Sequence, residues 1–260
     1  MSAKPEAVSE DMLSVEIDGK LYQARKGAMV IEVADANGIT IPRFCYHKKL
    51  PVAANCRMCM VEVEKAPKPL PACATPVMDG MKINTRSEYA KAAQRAVMEF
   101  LLINHPLDCP ICDQGGECEL QDLALQYGRG VSRFTEKKRV VKDKDFGPLI
   151  ASDMTRCIHC TRCVRFLQHV AGYKEMGGMG RGENVEIGTY IQHNIESELS
   201  GNIIDVCPVG ALTSRPFRFK ARSWEMLQTP SIAAHDCVGS NLQLHTRRGS
   251  MLRVAPNENE

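Results

Sequence analysis

The chain has 260 residues, a net charge of +2, 44% hydrophobic and 25% charged residues, the make-up of an ordinary globular protein. So small a charge gives no footing for a nucleic-acid surface, and no apolar run reaches the length of a bilayer span. The polar, acidic start MSAKPEAVSEDM is neither a secretory signal nor an Arg-rich transit peptide, so the twelve cysteines are expected to be metal ligands in a reducing cytosol, not a disulfide framework.

The first block is β-rich. LSVEI (13–17) and LYQAR (21–25) flank an Asp-Gly-Lys turn and predict a hairpin. AMVIEVADANG (28–38) spaces its apolar residues helically and closes near a glycine. MVEVE (60–64) alternates as a half-buried strand does, and short strands near 70–75 and 81–84 complete a small sheet crossed by one helix. Thr85 and Glu88 have capping-box spacing ahead of a helix with apolar Ala90, Ala93, Val97 and Leu101, and Pro106 fits its stop near His105. Clustered cysteines then occupy a loop to about residue 125, running into the short helical stretch ECELQDLALQYG. Residues 129–148, rich in Arg, Lys and Asp, read as a solvated connection. A block over about 150–217 carries CIHCTRC and DVCPVGAL, and a last piece over about 220–260 reads as the start of another domain.

The strongest chemical signal is Cys157-x2-Cys160-x2-Cys163 with Cys207-Pro208 far downstream. Three close thiolates and a remote Cys-Pro form the bacterial ferredoxin pattern, with Cys207 the candidate to close one cubane. Soft thiolates suit iron beside bridging sulfide, and the nearby Arg156, Arg162 and Arg165 offer charge to offset such a cluster. Cys45-x10-Cys56-x2-Cys59-x13-Cys73 lies in the sheet block and suits a [2Fe–2S] cluster, although its spacing departs from the plant type. Cys45-Tyr46-His47 hints at a Rieske site, but Cys59 stands where the second histidine belongs, so His47 reads as a loop residue. Structural zinc competes at both quartets.

Cys109, Cys112, Cys118 and Cys237 remain. The first three leave a cubane one ligand short, and either His105 or Cys237 fills the place. His105 is local, separated from Cys109 by three residues and just past a helix end, where its alternative role is a histidine favoured by the helix dipole. Gly115-Gly116 either lets the backbone approach a bulky cluster or simply turns the chain.

Taken in order, PRFCYH, CRMCMVEVE, HPLDCPICDQGGECELQD, RCIHCTRCVRF and DVCPVGALTSRPFRFKAR resemble one family over essentially the whole chain from about residue 13. It is the large iron–sulfur subunit (the G or 75-kDa subunit) of NADH:quinone oxidoreductase, respiratory complex I. The resemblance implies an α+β architecture of four parts. A [2Fe–2S] ferredoxin-like β-grasp domain is expected over 1–84, and over 85–128 a helical segment with a [4Fe–4S] cluster on one histidine and three cysteines. A ferredoxin-like domain with an all-cysteine [4Fe–4S] cluster is expected over 129–219, and the truncated beginning of a molybdopterin-oxidoreductase-like domain over 220–260. The resemblance further implies one [2Fe–2S] cluster on Cys45, Cys56, Cys59 and Cys73, and two [4Fe–4S] clusters. Of these, one falls on His105, Cys109, Cys112 and Cys118, the other on Cys157, Cys160, Cys163 and Cys207. Some members carry a further cysteine cluster where this chain reads SIAAHDCVGSN; that cluster is expected to be absent and Cys237 to be a small buried apolar residue. The family's chains continue well beyond NENE, so a truncated or partial subunit is expected.

The implied activity is an electron relay, from NADH by way of a flavin on a neighbouring subunit, through these clusters, towards quinone. No catalytic residue and no NADH or flavin site is expected in the chain itself. GGMGRG (177–182) does not give G-x-G-x-x-G and lacks a strand–turn–helix setting. Expected partners are the flavin- and NADH-binding subunit and the iron–sulfur subunits leading to quinone, with no nucleic acid and with the membrane met only through the complex. The expected location is the peripheral arm, on the cytoplasmic side of a bacterial inner membrane or the matrix side in mitochondria. Two rivals stand. An iron–sulfur diaphorase subunit of an NAD-linked hydrogenase or formate dehydrogenase shares the cluster order, but WEMLQTPSIAAHDCVGSN argues against the hydrogenase. A zinc-stabilised scaffold without redox function would be colourless.

Overall fold

The computed structural model describes residues 12–257. β1 (Met12–Ile17) and β2 (Lys20–Arg25) form the expected hairpin. Asp18 and Gly19 turn it with φ of 50° and 83°, the left-handed pair whose twist matches the strands it joins. α1 (Val30–Ala36) crosses the sheet and buries Val30, Ile31, Val33 and Ala34. β3 (Met60–Val63), β4 (Leu70–Pro71) and β5 (Lys82–Asn84) complete the order β2-β1-β5-β3-β4, with only β1 and β5 parallel. This mixed sheet under one helix is a β-grasp. β4 is shorter than expected because Ala72–Ala74 tightens into a 3-10 turn, which carries Cys73 into the interior.

α2 (Glu88–Asn104) is capped by Ser87, whose side chain accepts from the Ala90 N–H at 3.1 Å. Thr85 does not cap it, which corrects the capping-box reading. Its N–H and hydroxyl instead both donate to the Asp18 carboxylate, at 2.7 and 2.6 Å, tying the helix approach to the hairpin turn. α3 (Glu119–Tyr127) packs on α2.

Residues 129–148 are no solvated connection. Val141 and Phe146 are buried, and Lys138 Nζ donates to the Leu102 and Ile103 carbonyls at the end of α2, at 2.8 and 3.0 Å. The segment is a strap: its apolar residues enter the core while a charged one satisfies a helix end. Composition hides this, because two buried apolar side chains in twenty residues leave the average polar.

Next come β6 (Ile150–Ser152), α4 (Arg162–Phe166), β7 (Met176–Met179), β8 (Glu186–Thr189), α5 (Asn202–Val206) and β9 (Leu212–Ser214). β6 pairs with β9 and β7 with β8, both antiparallel, and GGMGRG supplies β7 and its turn. β10 (Leu227–Ile232), β11 (Asn241–Arg247) and β12 (Ser250–Pro256) form an antiparallel meander. It is anchored by a small core of Phe217, Ala221, Met226 and Leu252 and by Arg253 on Glu117, at 2.7 and 2.6 Å. A larger core joins Phe44, Met58, Met98, Phe146, Leu167 and Ile203, so the three cysteine groups share one packed body. Among the described residues no helix is long and apolar enough to cross a membrane.

Candidate metal centres

Cys45 follows α1, Cys56 and Cys59 precede β3, and Cys73 sits in the 3-10 turn after β4. Their free thiols meet as hydrogen-bond partners: Cys45 with Cys56 and Cys73, and Cys59 with Cys73. As acceptors, Cys45 and Cys59 are pushed below the usual thiol range, Cys45 first by Cys56 and Cys59 first by Cys73. The donors Cys56 and Cys73 are pushed up, in both cases first by the Cys45 bond. The backbone N–H groups of Cys45 and Met58 point at Cys56 Sγ from 3.4 and 3.5 Å, and donors so placed favour thiolate. His47 Nδ1 accepts from the Lys49 N–H and so serves its own loop.

His105 leaves α2 at φ −68° and ψ 128° and turns inward. With Cys109, Cys112 and Cys118 it lines one cavity of about 130 Å³. Its imidazole bonds to the backbone of Arg156, while Nδ1 is buried with no hydrogen-bond partner. Burial first, then Lys138 and Arg156, push its pKa down to about 4, so at neutral pH it is neutral, the form in which an imidazole nitrogen is free to bind a metal. Burial also raises Cys112, and pushes Cys118 up to about 11. Gly116, at φ 91°, packs where a Cβ would strike Trp224 and Ser223, so this turn demands glycine for both conformation and space. An orphaned imidazole nitrogen and three thiols around one cavity fit a cluster. A lone zinc with ligands at about 2.0–2.3 Å needs no such space.

Cys237 is not in this cavity. It is exposed between β10 and β11, which corrects its reading as a buried apolar residue. The Asp236 carboxylate accepts from the N–H groups of Val238, Gly239 and Ser240, making a polar surface turn that leaves the thiol outside.

Cys157, Cys160, Cys163 and Cys207 line a second, smaller cavity of about 20 Å³, walled by Ile158, Ile187 and Leu212. Burial pushes Cys157 and Cys207 up to about 11, Cys160 to about 12, and Cys163 well above the ordinary thiol value. The loop winds through His159 and Thr161 at φ 54° and 60°, and the His159 N–H points at Cys157 Sγ from 3.4 Å. Each left-handed non-glycine residue costs about 1–2 kcal/mol, and such strain gathers where a site dictates the backbone.

The three arginines divide in a way their spacing conceals. Arg156 lies not on the Cys157 cavity but on that of His105, paired with Asp108 and Asp153 at 3.0 and 2.9 Å. Arg162 pairs with Glu119 at 2.7 Å and donates to the Tyr46 carbonyl. Arg165 donates to carbonyls of both Cys45 and Cys160. Asn55, which carried no signal in the sequence, donates to the His159 carbonyl at 2.9 Å. Cys118 Sγ lies 3.8 Å from the Pro208 carbonyl. Gly210, on the wall of the His105 cavity, is a further contributor that the sequence reading missed, and its glycine identity was the available clue.

Three family models match the chain. Residues 10–88 match a "2Fe-2S iron-sulfur cluster binding domain", and 94–133 an "NADH-ubiquinone oxidoreductase-G iron-sulfur binding region". Residues 147–213 match the "NADH-quinone oxidoreductase subunit 3, ferredoxin-like domain". The chain thus contains 2Fe-2S and 4Fe-4S ferredoxin-type domains in a mixed α/β body. Among curated relatives, the NADH-ubiquinone oxidoreductase 75 kDa subunit of Reclinomonas americana is 57% identical over 96% of this chain and 36% of its own length. The NADH-quinone oxidoreductase G subunit of Rickettsia felis is 53% identical over 96% of this chain and 37% of its own length. The chain therefore spans about a third of the length of the curated relatives it matches. A chain from the crystal structure of an NAD+-reducing [NiFe]-hydrogenase in the H2-reduced state superposes with a TM-score of 0.74 at 27% identity, over 80% of this chain and 90% of that one. The likeness to the 75 kDa and G subunits is twice as close in identity and runs through all three cysteine groups, and by it this chain belongs to the family of the large iron–sulfur (75 kDa) subunit of NADH-quinone oxidoreductase.

Proposed function

We propose that the chain is an electron-relay segment of a respiratory NADH:quinone oxidoreductase. In this reading, Cys45, Cys56, Cys59 and Cys73 hold one [2Fe–2S] cluster. His105, Cys109, Cys112 and Cys118 hold one [4Fe–4S] cluster, and Cys157, Cys160, Cys163 and Cys207 another. The domain limits are those read from the sequence: 1–84, 85–128, 129–219, and 220–260 as the start of a molybdopterin-oxidoreductase-like domain. When bound, the clusters supply one-electron transfer at nearly fixed geometry.

The chain's own residues supply the rest. Thiolates and one neutral imidazole ligate, backbone N–H groups at Cys56 and Cys157 stabilise anionic sulfur, and apolar walls exclude water. The observation that carries the reading is His105 Nδ1, buried and unpartnered, on a residue that lines the same cavity as three cysteines. A buried polar atom left without a partner costs about 1–3 kcal/mol, a cost that ligation removes. A purely structural role gives no reason to retain it.

The proposed partners are a flavin-bearing, NADH-oxidising subunit on the donor side and further iron–sulfur subunits on the acceptor side, in the peripheral arm of the complex. The second reading, a diaphorase subunit of an NAD-linked hydrogenase or formate dehydrogenase, is favoured by the hydrogenase superposition. Both readings demand the same clusters. Anaerobic purification with iron and acid-labile sulfide assays, followed by EPR during stepwise reduction, tests them against zinc. The expected result is the stoichiometry of one [2Fe–2S] and two [4Fe–4S] clusters. Stoichiometric zinc with little sulfide would sink the relay. Co-purification with NADH:quinone or with hydrogenase activity separates the two relay readings.

A further inference from the structure

The three buried arginines of this body are balanced differently. Arg156 faces Asp108 and Asp153, and Arg162 faces Glu119. Arg165 is 8% exposed, and among the described residues no carboxylate pairs with it. Its guanidinium is spent on neutral acceptors. Nη1 donates to the Pro51 carbonyl at 2.5 Å, and Nε to Thr161 Oγ1 at 3.2 Å. Nη2 donates to the Cys45 carbonyl at 2.5 Å and to the Cys160 carbonyl at 3.1 Å. One nitrogen thus clamps the ligand loops of two different cysteine groups, Cys45 being 120 residues away in sequence.

Neutral carbonyls solvate a buried cation but supply no countercharge, and an uncompensated buried charge is costly. The countercharge at hand is that of the thiolate-ligated clusters whose ligand-loop carbonyls it meets, at Cys45 and Cys160. The fork geometry matters as well. A guanidinium presents rigidly spaced donors, whereas an ammonium is a single point and cannot span Pro51, Cys45 and Cys160 at once.

We propose that Arg165 is a positioning residue that fixes the Cys45 group against the Cys160 group, its charge balanced jointly by the two clusters those groups hold. The proposal rests on the cluster reading above. Its consequence is a shared electrostatic influence: one positive charge favours the reduced state of the two centres whose ligand loops it holds, and acts less on the His105 centre, to whose loop none of its hydrogen bonds runs. The same clamp holds the gap an electron crosses between them.

The test compares Arg165→Gln and Arg165→Lys with the native protein, purified in its complex with clusters loaded. In Arg165→Gln the midpoint potentials of the [2Fe–2S] centre and of the Cys160-ligated [4Fe–4S] centre both fall in EPR redox titration, and by more than that of the His105-ligated centre. In Arg165→Lys both potentials stay closer to native, but the dipolar interaction between the two reduced centres changes because the clamp is lost. Unmoved potentials in Arg165→Gln, or a shift confined to one centre, overturn the proposal. A merely structural arginine lowers the melting temperature of both variants and moves neither potential. If Arg165→Gln fails to load clusters, Arg165→Lys decides, an unchanged dipolar interaction being the adverse result. Missing iron–sulfur signals in the native protein overturn the underlying relay reading instead.

Discussion

The backbone of Gly210 lies against the sulfur of Cys112, so close that a Cβ on Gly210 would overlap Sγ. The two residues belong to different cysteine groups. The segment from Cys207 to Leu212 is a partition: Gly210 faces the His105 cavity, whereas Cys207, Val209, Ala211 and Leu212 face the Cys157 cavity. The two cysteine cavities are thus separated by a single thickness of backbone, and glycine is what permits it.

Gly210→Ala is therefore expected to displace Cys112. The cost of overpacking is about 1–3 kcal/mol. The EPR signal of the His105-ligated centre should broaden or vanish while the [2Fe–2S] signal persists. Unchanged signals from all three centres would show that the wall yields, and that the contact does not control the site.

The helix cap gives a cleaner energetic test. Ser87→Ala should destabilise the protein by about 1 kcal/mol, the usual worth of a serine N-cap, as read by urea denaturation. Glu88→Gln should cost less, at most about 0.3–1 kcal/mol from the helix dipole, because among the described residues its side chain pairs only with the exposed Lys91. Had the Thr85–Glu88 capping box existed, Glu88 would matter more.

What the sequence made legible, and what it hid, divide along one physical line. Local chemistry was readable: the Asp18-Gly19 turn, the run of α2, and cysteine groups whose members are mostly close in sequence. Relations between distant segments were not. Nothing in RCIHCTRCVRF says that Arg165 reaches Cys45 while Arg156 turns towards a different cavity, because spacing along the chain gives proximity but no direction. Thr85 has the correct letters for a cap, yet its hydroxyl is taken by Asp18, a partner 67 residues away. The strap over 129–148 was hidden for a further reason. Its apolar anchors are only Val141 and Phe146, too few to shift a composition, and its polar anchors, such as Lys138 on α2 and Arg133 on Glu99, look in sequence like any solvated charge.

Cys237 should be dispensable. Its thiol is exposed, so Cys237→Ser removes no packing and is expected to alter stability by less than about 0.5 kcal/mol. Every cluster signal should survive. In the folded, cluster-loaded protein, Cys237 should be alkylated first, since the other thiols would be committed to iron. Loss of any one centre in the variant would make Cys237 a ligand and reopen the assignment of His105.

The sharpest prediction concerns His105 itself. The alternative to ligation is a histidine that stabilises the end of α2 through the helix dipole, worth roughly 0.3–1 kcal/mol. That place is already filled: Lys138 Nζ holds the Leu102 and Ile103 carbonyls. Burial, moreover, keeps the His105 ring neutral, so it carries no charge for a dipole to favour. Ligation therefore predicts that His105→Ala removes or degrades one [4Fe–4S] signal and leaves the other two centres assembled. His105→Cys should restore a cubane, but at a lower potential, because a thiolate adds negative charge at the iron and stabilises the oxidised state. The dipole role predicts a small stability loss and three unaltered centres in both variants. Redox-titrated EPR of the pair separates the two, and the sign of the shift in His105→Cys is the decisive observation. A thermal melt of His105→Ala adds an independent check: emptying a buried, ligated corner should lower stability by more than the helix dipole could account for.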